Sequence, residues 1–588
     1  MKERHAVWAL GDLFDDKNFK ASLGKIRKLV AGYEKYKPRL SNSTRPGLVL
    51  EVIKKEEEID LLFSRMNAFY SLKFATNTSD SDSLAKLSSI GQLGTDISNK
   101  MRFFNLWIKG LDKKTAKRIL QSPILRDYRH ALELTRKTAP FTKSAEVEEA
   151  IALKSATGSS AFSDIYDILT SSYKYDFNGK KGLSQEEVVS HYTSSVPKLR
   201  ESAYRTVLAK YDENSTALSE IYRMIALDWH NEGIRIRGYK SALDIRNMSN
   251  DIEAPAVNAL LKVVRKNSGL FQEYFKLKYS MARKQGGKYQ FSRFHLYAPH
   301  KTKEKDSFPY EASKKIVLDT YNKFDRRFYQ AASRIFQASH VHSHPCPNKR
   351  GGAFCWGPSN TILPYIMLNH TDKLRDVFTM MHEFGHGIHD VLAMKQNYAN
   401  YHTSLPMAET ASIFGEMVLA SRLLDEAKDP EVKKAILIKL LDQQYASITR
   451  QAYFVIFEQF AHGKIRDGLR KEELDAYYLS LLKEQFGSMQ LPGIFRNEWR
   501  YIPHIYHTPF YCYAYAWGNL MVLALYSMYK KQGKSFIDKY ASLLADGGSK
   551  SAAGMLKPFG INPEDEKFWQ SGFDIIKEEI TELRKLFG

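Results

Sequence analysis

Residues 372–393 read DKLRDVFTMMHEFGHGIHDVLA, and the reading of the whole chain starts from this stretch. At 100° per residue Leu374, Val377, Phe378, Met381, Ile388 and Leu392 fall on one side, as an amphipathic helix requires. His382 and His386 are four apart, so their rings stand one above the other on another face. Two imidazoles at that spacing can grip one tetrahedral zinc ion while Glu383, between them, sits beside the water in the open fourth position. The competing explanation is a helix with chance histidines, but two unpartnered rings side by side would gain little from burial.

A third ligand is then needed. In the pattern that supplies a third histidine, the positions in question hold His389 and Leu392, so that solution fails. A carboxylate from a second helix is the other common one. PMAETASIFGEMVLA (406–420) opens a helical stretch after Pro406, and Glu409 lies among Ala408, Ala411 and Ser412, small residues that allow two helices to approach closely. Glu416, seven residues on, shares its face and is either the rival ligand or a partner that orients a histidine ring; the pattern favours Glu409. His389 shares the face of His382, where contact with a ring partner or substrate suits it better than ligation.

Outward from this helix, strand signals are scarce. The best is GGAFCWGPSNTILPYIMLN (351–369), two short extended pieces around a Gly-Pro-Ser-Asn turn. Before it His340, His342 and His344 alternate in SHVHSHPCP, which reads as a rim segment or, with Cys346, as an accessory metal site. The rest is helical, with apolar residues at three- and four-residue spacing and few breakers, as in Ile59 to Phe74. Gly158, Gly179 and Gly182 interrupt this pattern and suggest a boundary near residue 200, giving an N-terminal helical lobe (1–200) and a catalytic domain (201–588).

Composition removes several classes of function. The chain's 588 residues exceed what one core organises, so two lobes or domains are expected. The net charge of +21 invites a nucleic-acid reading, but Lys and Arg lie in mixed-sign stretches such as Lys54-Lys55-Glu56-Glu57-Glu58, and no basic arm or RNA-binding motif appears; no nucleic-acid partner is expected. Tyr501 to Tyr529 carries no charged residue and is long enough to span a bilayer, yet Pro503, His504, His507 and Pro509 break it, so no membrane association is expected. Three cysteines make no disulfide framework, and the N-terminus lacks the apolar core of a signal peptide; a cytoplasmic location is expected.

Several motifs, in order, resemble the thimet oligopeptidase and oligoendopeptidase F family, and specifically its oligoendopeptidase F branch: KRGGAF (349–354), HEFGHGIH (382–389), AETASIFGE (408–416), TRQAYFVIFEQFAH (449–462), IPHIYHTPFYCYAYAWG (502–518) and LADGGSKSAAGMLKPFGIN (544–562). The resemblance implies a mostly α, two-lobed zincin-type metallopeptidase with a deep central channel and a small β-sheet near the active-site helix. It implies one zinc ion per chain held by His382, His386 and Glu409. Glu383 would be the general base, and Gly351, Gly352, Ala353 and Phe354 would form an edge that pairs with extended peptides. His504, His507, Tyr511 and Tyr515 become candidates for stabilising the tetrahedral intermediate, Tyr515 and His507 first. The expected activity is cleavage of internal bonds in oligopeptides. An exopeptidase of the same fold and a catalytically idle peptide-binding protein are the alternatives. The oligomeric state is not read from the sequence.

Overall fold

A computed structural model describes residues 5–300 and 307–588. Helix makes up 74% of the chain, so the fold is mostly α, as the periodicity predicts. The chain divides into two compact units, each assembled from three segments: Met1–Ala139, Lys305–Arg422 and Met528–Ile561 in the first, Pro140–Glu304, Leu423–Ser527 and Asn562–Gly588 in the second.

In the first unit, two long helices, Pro46–Thr76 and Ser81–Gly110, form the N-terminal core. The first begins with proline, whose missing N–H would have had no partner in that turn anyway. The second begins at Asp80, whose carboxylate accepts from the Ser83 N–H. Val52, Ile59, Met66, Ile90, Leu93 and Met101 close the space between them.

The small sheet belongs to the same unit. Phe354–Trp356 and Tyr365–Met367 pair antiparallel, and Val341–His342 adds in parallel on the other side of Tyr365–Met367. Tyr365–Met367 is therefore central and buried, and Phe354–Trp356 is a half-buried edge. The indole of Trp8 donates to the carbonyls of His340 and Ile366, which ties the start of the chain to this sheet. Lys349 donates to the carbonyls of His342, His344 and Leu368, and Asn369 donates to those of Arg350 and Gly352. These bonds fix the loop that leads into the edge strand.

In the second unit, Tyr175–Phe177 and Lys180–Leu183 form an antiparallel hairpin. Its turn is Asn178-Gly179, with φ of 51° and 79°. The interruption at Gly179 and Gly182 is thus a hairpin within a folded unit. The left-handed turn that the twist of two adjacent strands favours explains both the asparagine and the glycine.

Candidate metal centre

The central helix runs from Leu374 to Ala393. Asp376 sets its start: one carboxylate oxygen accepts from the Thr371 N–H, the Thr371 hydroxyl and the Lys373 N–H. Val377, Phe378, Met381, Phe384 and Ile388 are buried. The second helix, Thr410–Glu426, crosses it at Gly385, where an added Cβ would lie 2.4 Å from Ser412 Cα and 2.6 Å from the Ala411 carbonyl. Only a residue without a side chain allows this approach. Glu409 sits between the single turn Leu405–Ala408 and the second helix, at φ −80° and ψ 2°. Ser412, one turn into that helix, donates to Glu409 Oε2 at 2.8 Å.

These elements bring three donor atoms together. His382 Nε2 and His386 Nε2 are 3.2 Å apart, and Glu409 Oε2 lies 3.4 Å and 3.5 Å from them. Three ligands of a tetrahedral zinc at its usual bond lengths of about 2.0–2.1 Å would be separated by about 3.3 Å. The residues therefore fit a tetrahedral ion. Among the described residues this is the one group of His, Cys, Asp and Glu whose donor atoms converge. Charge agrees with geometry, since Glu383, Glu409 and Glu416 surround two imidazoles and a dication offsets that excess.

Neighbouring groups direct the ligands. Glu416 Oε1 accepts from His382 Nδ1 at 2.7 Å, which leaves Nε2 free to face the other donors. Burial opposes a charged His382 ring, but Glu416, Glu409 and Glu383 outweigh it and hold its pKa up at about 9. The Ala408 carbonyl accepts from the rings of His386 and His389. His389 is buried, with its Nε2 unpartnered, and burial pushes its pKa down to about 3. The carboxylate of Glu383 accepts from the Cys355 N–H of the edge strand. Burial, with Glu409 and Glu416 adding to it against His382, pushes the Glu383 pKa up to about 7.

The sequence marks Ala408 and Ser412 only as small neighbours of Glu409, not as hydrogen-bonding groups, and does not mark Cys355 at all. Two of them act through backbone atoms, which no residue type announces. Gly351 and Gly352 are exposed, and Ala353 and Phe354 half-buried, at the start of the edge strand. His340, His342 and His344 do not converge. The His340 ring stacks on Tyr365 and its Nε2 lies 3.2 Å from Asp12, His342 meets Trp8 edge-on, and His344 stacks on His5.

In the second unit, the aromatic segment folds as a short helix Pro503–His507, a linker, and a long helix starting at Tyr513. His504, Tyr511 and Tyr515 come together, with ring centroids 5.2–5.8 Å apart and the Tyr515 hydroxyl 3.3 Å from His504 Nε2. Each keeps part of its surface exposed, whereas Tyr506, Phe510, Cys512 and Tyr513 are buried. His507 is not part of this group, because its Nε2 bonds Asp167 at 2.9 Å.

With the geometry established, sequence comparison places the chain in a family. Residues 190–575 match the profile of Peptidase family M3, and residues 107–175 match that of Oligopeptidase F. The chain belongs to peptidase family M3. This M3 peptidase is 25% identical to Oligopeptidase PepF of Bacillus subtilis, over 99% of its own length and 87% of that protein's. It is 26% identical to an oligoendopeptidase F homolog of Borreliella burgdorferi, over 99% of its length and 98% of the relative's. A crystal structure from Chlamydophila abortus shares its fold at a TM-score of 0.87, with 23% identity and 98% coverage of both chains. That of oligoendopeptidase-F from Enterococcus faecium does so at 0.72, with 20% identity and coverage of 97% and 99%. The M3 peptidase is thus a peptide-bond hydrolase of a metal-dependent family. Among its described residues no helix is long and apolar enough to cross a membrane.

Proposed function

We propose that the chain is a zinc-dependent oligoendopeptidase, with one zinc ion held by His382, His386 and Glu409. The observation that carries this reading is the triangle of donor atoms with edges of 3.2, 3.4 and 3.5 Å. The names of the relatives from Bacillus subtilis and Borreliella burgdorferi support the substrate class, oligopeptides. When bound, the ion supplies Lewis acidity, which acidifies water and polarises a carbonyl.

Glu383 takes the proton of the attacking water and delivers it to the leaving amine. A carboxylate beside the open ligand position can accept a proton there and return it to the leaving group. Cys355 aims it through a backbone N–H, so its orientation depends on the edge strand. The exposed side of that strand, led by Gly351, Gly352, Ala353 and Phe354, pairs with the substrate main chain and so reads few side chains. By the family resemblance His504, Tyr511 and Tyr515 are the candidate donors to the oxyanion, and loss of one such donor typically costs about 10²–10³ in kcat. His507, committed to Asp167, holds the end of its short helix. Glu416 and His389 support the ligands from behind. As sequence domains, 1–200 forms the N-terminal part and 201–588 carries the catalytic motifs. Three free thiols, Cys346, Cys355 and Cys512, suit a reducing compartment and support a cytoplasmic location.

Metal analysis of purified protein tests the ligand set. One equivalent of zinc is expected in the wild type, and a large loss in His386→Ala and Glu409→Ala. Full zinc in either variant contradicts it.

A further inference from the structure

Between the short helix Pro503–His507 and the helix that begins at Tyr513, the chain turns through Phe510 at φ +60°. Side chains other than glycine's rarely occupy this left-handed region, so something outside the turn must hold it there. Both polar atoms of the peptide joining Pro509 to Phe510 are held. The Pro509 carbonyl accepts from Arg246 Nε at 3.0 Å, and the Phe510 N–H donates to Glu458 Oε1 at 2.8 Å. Glu458 comes from the helix Arg450–Lys464 and is fully buried; its second oxygen has no partner. Just beyond, Asn250 donates to the Tyr513 hydroxyl at 2.8 Å. A peptide gripped at both ends has one orientation, and that orientation fixes where the next residue, Tyr511, and the helix carrying Tyr515 point.

We propose that Glu458 is a positioning residue for the His504, Tyr511 and Tyr515 group, acting by holding the Pro509–Phe510 peptide so that Phe510 stays left-handed. The proposal rests on the donor role assigned to that group above. What matters is the reach of the acceptor and not its charge. Burial pushes the Glu458 pKa up to about 8, so near neutrality the group is largely a neutral acid, and glutamine reproduces its shape and its accepting oxygen.

Two variants separate reach from charge. Glu458→Gln keeps the reach, and its kcat and KM should stay within about twofold of wild type. Glu458→Asp keeps the acid but withdraws the oxygen by one methylene. Its kcat should fall by about tenfold or more, with KM and bound metal unchanged, since only transition-state contacts are lost. Wild-type kcat in Glu458→Asp, or equal losses in both variants, would overturn the proposal. If Glu458→Asp does not fold, Arg246→Met frees the other end of the same peptide and carries the same expectation. Tyr511→Phe and Tyr515→Phe are run alongside. Should they keep full kcat, the donor reading falls, and a crystal structure of Glu458→Asp decides the positioning role: Phe510 leaving the left-handed region supports it, and Phe510 unmoved at φ near +60° overturns it.

Discussion

Glu383 and Glu416 flank the same histidine and should fail differently. Glu383→Gln leaves all three donors in place, so zinc content should be that of wild type while turnover falls by about 10² to 10⁴, the usual range for a general base. Retained turnover in that variant would remove Glu383 from the chemistry. Glu416→Ala takes away the carboxylate 2.7 Å from His382 Nδ1 and should weaken metal binding about 10- to 100-fold, read by titration against a competing chelator. Unchanged affinity would show that Glu416 merely fills space. The two histidines and Glu383 are legible as candidates because side-chain type and helical spacing mark them, and Glu409 is favoured over Glu416 by its small neighbours; the convergence of His382, His386 and Glu409 agrees with that choice. Whether Glu416 ligates or orients was open in the pattern. Its bond to Nδ1, on the far side of the ring from the other donors, supports orientation. The Cys355 N–H was illegible, since any residue but proline presents the same group.

At the scale of elements, the crossing at Gly385 should be the most sensitive point. Gly385→Ala drives a methyl group against the Ser412 backbone, and backbone cannot yield as a side chain tip does. The helices must separate, at a cost of about 1–3 kcal/mol for overpacking. Because Ser412 also donates to Glu409, metal occupancy should fall together with the melting temperature. Wild-type values of both would mean that the crossing has slack. The small residues around Glu409 announce this approach, and the two extended pieces expected around the Gly-Pro-Ser-Asn turn are strands, which the structure pairs antiparallel. The third strand, Val341–His342, carries no signal: two residues are too short for any periodicity, and each pairs with a residue 25 positions on. The Tyr175–Leu183 hairpin has a strong Asn-Gly turn signal, but its strands of three and four residues are too short to show a period, so in the sequence its glycines mark only a break in the helical pattern. The left-handed Phe510 carries no signal at all; tertiary contacts impose it on a residue that disfavours it.

At the scale of the molecule, the two compact units interleave along the sequence, and the hydrophobic pattern that identifies each helix does not say which unit it joins. Their stability is tied to pH through buried groups of both kinds. His462 is buried with neither ring nitrogen partnered, and burial, with the nearby His230 charge, pushes its pKa down to about 3. Below the ordinary histidine pKa of about 6.5 the unfolded chain takes up a proton that the folded one refuses, so this contribution is lost as pH falls. Raised acids such as Glu56, at about 7, act in the opposite direction, so the comparison must be made between variants. His462→Phe should gain on wild type by up to about 1.4 kcal/mol per pH unit below 6.5, read from denaturation at pH 7 and pH 5. A difference that does not change with pH would contradict the burial argument. The proposed function comes down to internal cleavage by the His382, His386 and Glu409 centre. The direct test is an internally quenched peptide of about ten residues blocked at both ends, incubated with native, chelator-treated and zinc-restored protein; such a substrate is closed to an exopeptidase, which needs a free terminus. Cleavage should disappear with the metal and return with zinc. Cleavage that survives complete metal removal, or none by protein carrying one zinc per chain, would contradict the proposed function.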